Sequence, residues 1–510
     1  MQKRPLHGGL LRGLHTNPRS SSFEGMFGRM FRTPAKAIHK EADLKALAKA
    51  MVAPPEPEQT DENTIDDEEN QGIDAGYTYF GQFIDHDLTF DPMSSLVKQN
   101  DPDGLTDFRT PRFDLDCVYG RGPDDQPYLY ANDDKKMLLG RKLEGNGNEG
   151  TRDLIRLNPE NSSDTTKSKR ALIGDPRNDE NVIVSQLQAT FIRFHNRLAS
   201  IMPEKSEFAD VQQAVRWHYQ WVVLHDFLPT IVGQEVIDKI LPHLKSGKSI
   251  KEDKPKLSFY HFKNDPYIPV EFSVAAYRFG HSMIRPIYRL NTFLDGRQMI
   301  FDFKNHVESL VGFREFPNNW AIDWDLFFDK GNAKTTGKDR IQKSYKIDTS
   351  LVDPLGNLPP SIGGFKFPSL AERNLLRGLQ MGLPSGQEVA KYMGITAMKE
   401  EDIKIGKATV KEFATNPTLV SISENFRNNA PLWCYILAEA QHQSFKNDDT
   451  KTFHLGEVGG RIVAEVFIGL LLGDSHSYLT LDPNWKPKTE FLKNKKFGIR
   501  QLIDQAMKTD

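Results

Sequence analysis

The sequence predicts a mainly α-helical chain, most of it one large domain with very little β-structure. Three observations carry that expectation. Apolar residues recur three and four apart over long stretches, the spacing of a buried helix face. Alternation of apolar and polar residues is scarce, and the one strand-like run, 299–303, is too short to build a sheet. Prolines stand just beyond the periodic runs, where they end helices.

In chain order, residues 35–51 form a weak helical pattern closed by Pro54 and Pro55. The run 56–70 is acidic and polar and reads as an exposed loop. From Gly72 the composition turns aromatic and the compact body begins. A second polar loop covers 145–169. Val184, Leu187, Phe191, Phe194, Leu198 and Ile201 then mark one helix face, with Asp179 as N-cap and Pro203 beyond the end. Further helices are expected at 211–228, stopped by Pro229, and at 271–285, stopped by Pro286. Four more follow at 370–380, 386–393, 432–443 and 458–472. The division is an N-terminal arm and acidic loop (1–70), a main domain (71–485) and a tail (486–510). The lysine-rich part of that tail, Lys486 to Lys496, reads as solvated surface packed on the domain or extending from it.

Bulk numbers exclude several classes. Lys and Arg total 66 against 69 Asp and Glu, a net charge of -3, and no basic block offers a nucleic-acid surface. Two cysteines, Cys117 and Cys434, cannot make a disulfide framework or a metal-type Cys cluster. Residues 1–22 lack the apolar core of a secretory signal, and the most apolar run, 462–472, contains Glu465 and is too short to span a bilayer. The expectation is a soluble protein, cytoplasmic or exported without a standard signal.

Four segments concentrate polar groups where chemistry needs them. Gly81-Gln82-Phe83-Ile84-Asp85-His86-Asp87 places an imidazole between two carboxylates beside the aromatic Tyr77, Tyr79 and Phe80. Buried charges require partners, so either the segment is exposed or Asp85, His86 and Asp87 are each paired. In an extended loop, Thr110, Asp114 and Asp116 point the same way, and the Arg112 carbonyl can join them. Such an oxygen set suits calcium, although an Asx-rich turn accounts for the same residues. Arg177 and Glu180 open the helix that begins before Val184, where a surface ion pair is the plain alternative. Arg278 and His281, three apart on one helix face beside Gly280, leave room for a flat ligand, though a lone histidine is more often structural.

Together these segments resemble the animal-type haem peroxidase family (the peroxidase–cyclooxygenase group), with the pattern of a bacterial-type member. The resemblance runs over roughly 75–475, through Gly81 to Asp87, Asp114 to Gly120, Gly174 to Glu180, His195-Asn196-Arg197-Leu198-Ala199 and Arg278 to His281. Arg373-Asn374-Leu375-Leu376-Arg377, with Gly382-Leu383-Pro384 downstream, completes it. It implies a helical peroxidase fold, haem b and calcium. His281 would be the proximal iron ligand, with Asn374 hydrogen-bonded to its other nitrogen and Arg278 and Arg377 near the propionates. His86 would be the distal acid–base, Arg177 the cation beside the departing oxygen, and Gln82 the partner of distal water or a bound anion. Asp85 and Glu180 match positions that form esters to haem methyl groups. Asp87 joins Thr110, Arg112, Asp114 and Asp116 as calcium ligands.

The activity so implied is reduction of hydrogen peroxide through a ferryl intermediate, at the expense of small organic donors or halide-like anions. Asn181 replaces a methionine that some members link to haem, which disfavours chloride; Asp116 replaces a serine and adds charge to the calcium site. Fatty-acid dioxygenases of the same superfamily need a radical-bearing tyrosine, and residues 315–329 contain none. A non-catalytic calcium-binding protein on this fold would have no chemical reason to keep His86, Arg177, His281 and Asn374. A zinc hydrolase is disfavoured because no His-Glu-x-x-His occurs.

Overall fold

The helix Val182–Ile201 organises the computed structural model, which describes residues 25–55, 66–90, 106–107, 109–145, 151–157, 169–263, 265–302, 309–359, 368–447 and 449–508. Every residue from Val182 to Asn196 is buried, so the apolar stripe seen in the sequence lies on a helix enclosed all round. Its polar side chains are accommodated by hydrogen bonds: Gln186 to the Trp320 carbonyl at 2.7 Å and Arg193 to the Ala506 carbonyl at 3.1 Å. Helix Ala75–Leu88 packs across it, with Phe83 stacked on Phe191 at 4.5 Å between ring centroids. Such a contact is worth about 0.5–1.5 kcal/mol beyond area burial.

The structure is mainly helical. Helices Leu370–Gln380, Gly386–Tyr392, Leu432–Lys446 and Glu457–Gly473 stand where periodicity put them, and the weak pattern at 35–51 becomes Glu41–Ala50. Described strands are short. Gly25–Gly28 pairs in parallel with Ile268–Pro269 and antiparallel with Thr106–Asp107. Glu69–Asp74 pairs antiparallel with Lys343–Tyr345, and the 299–303 run contributes only Gln298–Met299, paired with Ile287–Tyr288. Residues 1–24, 56–65, 146–150, 158–168 and Phe303 lie outside the described residues, so expectations there have no structural counterpart.

Several expectations are corrected. Asp179 is not the N-cap of Val182–Ile201; the Asn181 side chain accepts from the N–H groups of Ile183 and Val184 at 3.1 and 2.8 Å. Asp179 instead receives Arg156 on both oxygens at 2.9 Å. Pro229 does not stop its helix: Phe208–Val222 passes through a π-helical turn, Val223–Phe227, into Leu228–Val232, and the change of hydrogen-bond register tolerates the missing N–H. Residues 271–285 are not one helix. They divide at Ala275 into Val270–Val274 and the 3₁₀ helix Ala276–His281, and Arg278 Nε takes the Ser273 carbonyl at 3.0 Å.

The described parts of the arm and the tail are built into the body, and Glu69 and Asn70, expected in an exposed loop, are buried in a strand. Phe27, Met30 and Phe31 are buried, and the tail forms helix Ile499–Ala506, whose Ile499, Leu502, Ile503 and Ala506 join the core. Its first N–H, from Ile499, donates to Asp226 at 2.7 Å. Gly498 is required beside it, because a Cβ there would lie 2.5 Å from the same carboxylate. Among the described residues, no helix is long and apolar enough to cross a membrane.

Candidate active site

Helix Ala75–Leu88 starts directly from a strand, with the Ala75 N–H bonded to the Gln342 carbonyl at 2.9 Å. Three-to-four spacing then carries Thr78, Gln82, Asp85 and His86 to one cavity. The 3₁₀ helix supplies Arg278 and His281 to the same cavity; residues three apart eclipse there, so the shared face survives the change of helix type. Glu180 completes the polar lining. The cleft holds about 790 Å³ of empty space, its open mouth included. Gly280 lines it, and a Cβ built there would meet no atom within 4 Å.

Both cavity histidines are held neutral. Burial, then the Arg177 charge, pushes His86 down to about 3; burial, then Arg278, does the same to His281. His86 Nδ1 lies 2.7 Å from Asn178 Oδ1, and His86 Nε2 lies 3.7 Å from Glu180 Oε1. Burial raises the Glu180 carboxyl to about 7, against the opposing Arg177 charge, and also raises Asp85. Gln82 donates its amide N–H to Glu180 and accepts from Asn181 Nδ2 at 3.1 Å, so both ends of its amide are engaged.

Behind His281, Asn374 Nδ2 lies 2.8 Å from the ring Nδ1, and Arg278 Nη1 donates to Asn374 Oδ1 at 3.2 Å. Arg377 is buried one turn further along the same helix and does not line the cavity. Burial, with Arg377 adding to it and Asp85 opposing, lowers Arg278. Two neighbouring guanidiniums beside a cavity suit a ligand bearing anionic groups.

Arg177 departs from its expected position. It does not line the cavity. Its Nη2 donates to the His86 carbonyl at 3.1 Å, to the Thr89 carbonyl at 2.5 Å and to Asp175 at 2.8 Å, and its guanidinium lies 4.6 Å from the Phe90 ring centroid. The reason is electrostatic: the last carbonyls of helix Ala75–Leu88 and the fully buried Asp175 attract the cation. Asp175 also receives Arg109 at 2.6 Å, and although burial opposes ionisation, the two guanidiniums hold its carboxyl below the usual range.

The acidic cluster lies on the other side of the same helix. One oxygen from each of Asp87, Asp114 and Asp116 falls within 4.8 Å of the others, all three residues being buried. Neither Asp87 oxygen has a hydrogen-bond partner of normal geometry, and burial, then Asp114 and Asp116, raises its pKa. Thr110 Oγ1 donates to Asp114 at 2.7 Å. Simple strand alternation does not produce this cluster. Leu115 takes left-handed backbone (φ 57°) and Asp116 opens a helical turn, which together fold the carboxylates inward. The Arg112 side chain points towards Asp474, 3.8 Å away.

Sequence reasoning missed Arg109, Asp175, Asn178 and Gln188. Asp175 before Pro176 signals a turn; the other three carry no one-dimensional signal, because their partners are 10 to 92 residues away.

Residues 97–416 match the sequence model of the animal haem peroxidase family. Thyroid peroxidase of Mus musculus is 24% identical over 288 residues, which are 54% of this chain and 28% of that protein. The match therefore spans little more than a quarter of that relative. The fold is similar to peroxidase A from Dictyostelium discoideum, with a TM-score of 0.56 at 16% identity over 91% of this chain and 90% of that one. It is equally similar to the Oryza sativa fatty acid alpha-dioxygenase: TM-score 0.56 at 15% identity over 96% of this chain and 80% of that one.

Proposed function

Because the chain belongs to the animal haem peroxidase family, we propose that it is a haem-dependent peroxidase, reducing hydrogen peroxide and oxidising small organic donors or halide-like anions. The observation that carries this reading is the pair of neutral histidines, the buried His86 and the part-buried His281, lining one cavity from different elements. A neutral imidazole is the form that binds iron and the form that takes up a proton.

The lining fits haem b. The open space at Gly280 admits a flat ring, His281 Nε2 would hold iron, and Arg278, which lines the cavity, would meet a propionate. Bound there, haem supplies the iron at which the peroxide bond is cleaved and the oxidising equivalents passed to donors. His86 Nε2 takes the proton from one peroxide oxygen and returns it to the other, so that the second leaves as water. Gln82 and Glu180 bound the space beside that nitrogen. We assign Arg177 to holding the end of the His86 helix, because its Nε and Nη2 are engaged by Asp175 and by the carbonyls of His86 and Thr89 and it does not line the cavity. Asp85 and Glu180, whose carboxyls burial shifts upward, would supply the oxygens of ester links to haem methyl groups. Calcium would sit among Asp87, Asp114 and Asp116 with Thr110 and a carbonyl such as that of Arg112, cancelling the repulsion among the carboxylates.

A fatty-acid dioxygenase is the second reading, favoured by the tyrosines lining the cavity, among them Tyr77, whose hydroxyl donates to Asp226 at 2.8 Å. One experiment separates the two. The purified, haem-loaded protein is assayed with peroxide plus a phenol or bromide, and separately with linoleate while oxygen uptake is followed. Peroxide-dependent turnover supports the peroxidase; oxygen uptake with linoleate and no peroxidase turnover overturns it.

A further inference from the structure

We infer that Asn178, backed by Gln188, is a positioning residue that fixes the proton of His86 on Nδ1 and leaves Nε2 as the base. The inference rests on the peroxidase reading of His86. Three hydrogen bonds run in line from the ring. Asn178 Oδ1 lies 2.7 Å from His86 Nδ1, Asn178 Nδ2 donates to Gln188 Oε1 at 2.9 Å, and Gln188 Nε2 donates to the Cys117 carbonyl at 3.4 Å. Both amides are 0% exposed and His86 is 4% exposed, so water does not replace any partner.

An amide side chain can be turned end for end without changing its outline, so the polarity of such a line must come from a group whose role cannot be exchanged. The Cys117 carbonyl is that group: it accepts and never donates. Gln188 therefore turns its nitrogen to Cys117 and its oxygen to Asn178. Asn178 must then donate to Gln188, which leaves its own oxygen for His86. An oxygen acceptor at Nδ1 demands a proton there, so the neutral ring carries its lone pair on Nε2. That nitrogen faces the cavity beside Glu180. The other tautomer would place an N–H at Nε2, which cannot take a proton from peroxide. Reversing either amide would set two donors or two acceptors against each other in a buried site.

The elements hold the line rigid. Asn178 belongs to the 3₁₀ turn Pro176–Asp179 and Gln188 to the helix that follows, and the Asn181 cap ties the one to the other. Cys117 is adjacent to Asp116, so the line is anchored in the acidic loop.

The test uses the full chain labelled with ¹⁵N-histidine, the His86 signals being identified by their loss in His86→Gln. Wild type should show a protonated Nδ1 and a bare Nε2. Asn178→Leu, which removes the acceptor, should give a mixture or an Nε2–H ring, and so should Gln188→Leu, which removes the anchor. Asn178→Asp sets its second oxygen against Gln188 Oε1 but still offers an acceptor to His86, and should keep the proton on Nδ1. In the haem-loaded protein, Asn178→Leu should slow the reaction with hydrogen peroxide by about 10-fold or more at unchanged haem content and unchanged KM for the donor. Wild-type tautomer and peroxide rate in both Asn178→Leu and Gln188→Leu would overturn the inference alone. A haem-loaded His86→Ala reacting as fast as wild type would overturn the peroxidase reading, and the positioning role with it.

Discussion

Asn374 and His281 form a hydrogen bond whose polarity is opposite to that at His86. The guanidinium of Arg278 can only donate, so at 3.2 Å it claims the Asn374 oxygen and turns the amide nitrogen towards His281 Nδ1, 2.8 Å away. Iron binding through Nε2 requires a proton on Nδ1, hence an acceptor facing it. The amide must turn over, and Arg278 must exchange the neutral Asn374 oxygen for another acceptor, a role a propionate can fill.

On the proposed reading, Asn374 would tune the iron through its oxygen. Asn374→Leu should lower peroxidase activity by about 10–100-fold. Asn374→Asp should retain haem and lower its reduction potential, because a carboxylate makes the imidazole more anionic. Spectroelectrochemical titration measures this; an unchanged potential in Asn374→Asp would place Asn374 outside the iron's influence.

Asp175 joins Arg109 and Arg177 in a buried ion network. Removing the shared carboxylate leaves Arg177 with only backbone carbonyls and Arg109 with Asp116 at 3.7 Å, so Asp175→Asn should destabilise the fold by about 3 kcal/mol. The sign with pH follows from its depressed carboxyl. Its contribution is fully present above the unfolded value of 3.8 and is lost as pH falls below that towards the folded one. Urea denaturation below pH 4 should therefore show a shallower loss of stability in Asp175→Asn than in wild type.

The acidic cluster predicts calcium linkage. Adding Ca²⁺ should raise the melting temperature, chelation should lower it, and Asp87→Asn should weaken the response. Asp87 follows His86 directly, so chelation should also slow the peroxide reaction. A melting temperature indifferent to both Ca²⁺ and chelator would remove the metal from the account.

Ester linkage predicts that haem stays with the polypeptide on acid extraction into organic solvent after treatment with peroxide. Asp85→Asn combined with Glu180→Gln should release it. Full release from peroxide-treated wild type would show both carboxyls free.

Much of this architecture was legible in one dimension because its signals are local. The three-to-four periodicity around Phe191 marked the central helix, and Gln82, Asp85 and His86 of one polar segment line the same cavity as Arg278 and His281 of another. What was not legible depends on pairings across space. Arg177 looked free to serve the cavity until Asp175 and the carbonyls of His86 and Thr89 were seen to hold it. The helix expected through Ala275 breaks, with the Arg278 side chain taking a carbonyl that periodicity leaves to the backbone. Asn178 and Gln188 are ordinary polar residues in sequence and acquire meaning only from His86 and the Cys117 carbonyl.

The central claim is that His86 moves the peroxide proton in a cavity that binds haem through His281. Stopped-flow mixing of the haem-loaded protein with hydrogen peroxide, following the Soret band, tests it most directly. Wild type should react rapidly, and His86→Ala, at equal haem content, should be slower by about 10²–10⁴-fold. Equal rates in the two proteins would contradict the claim.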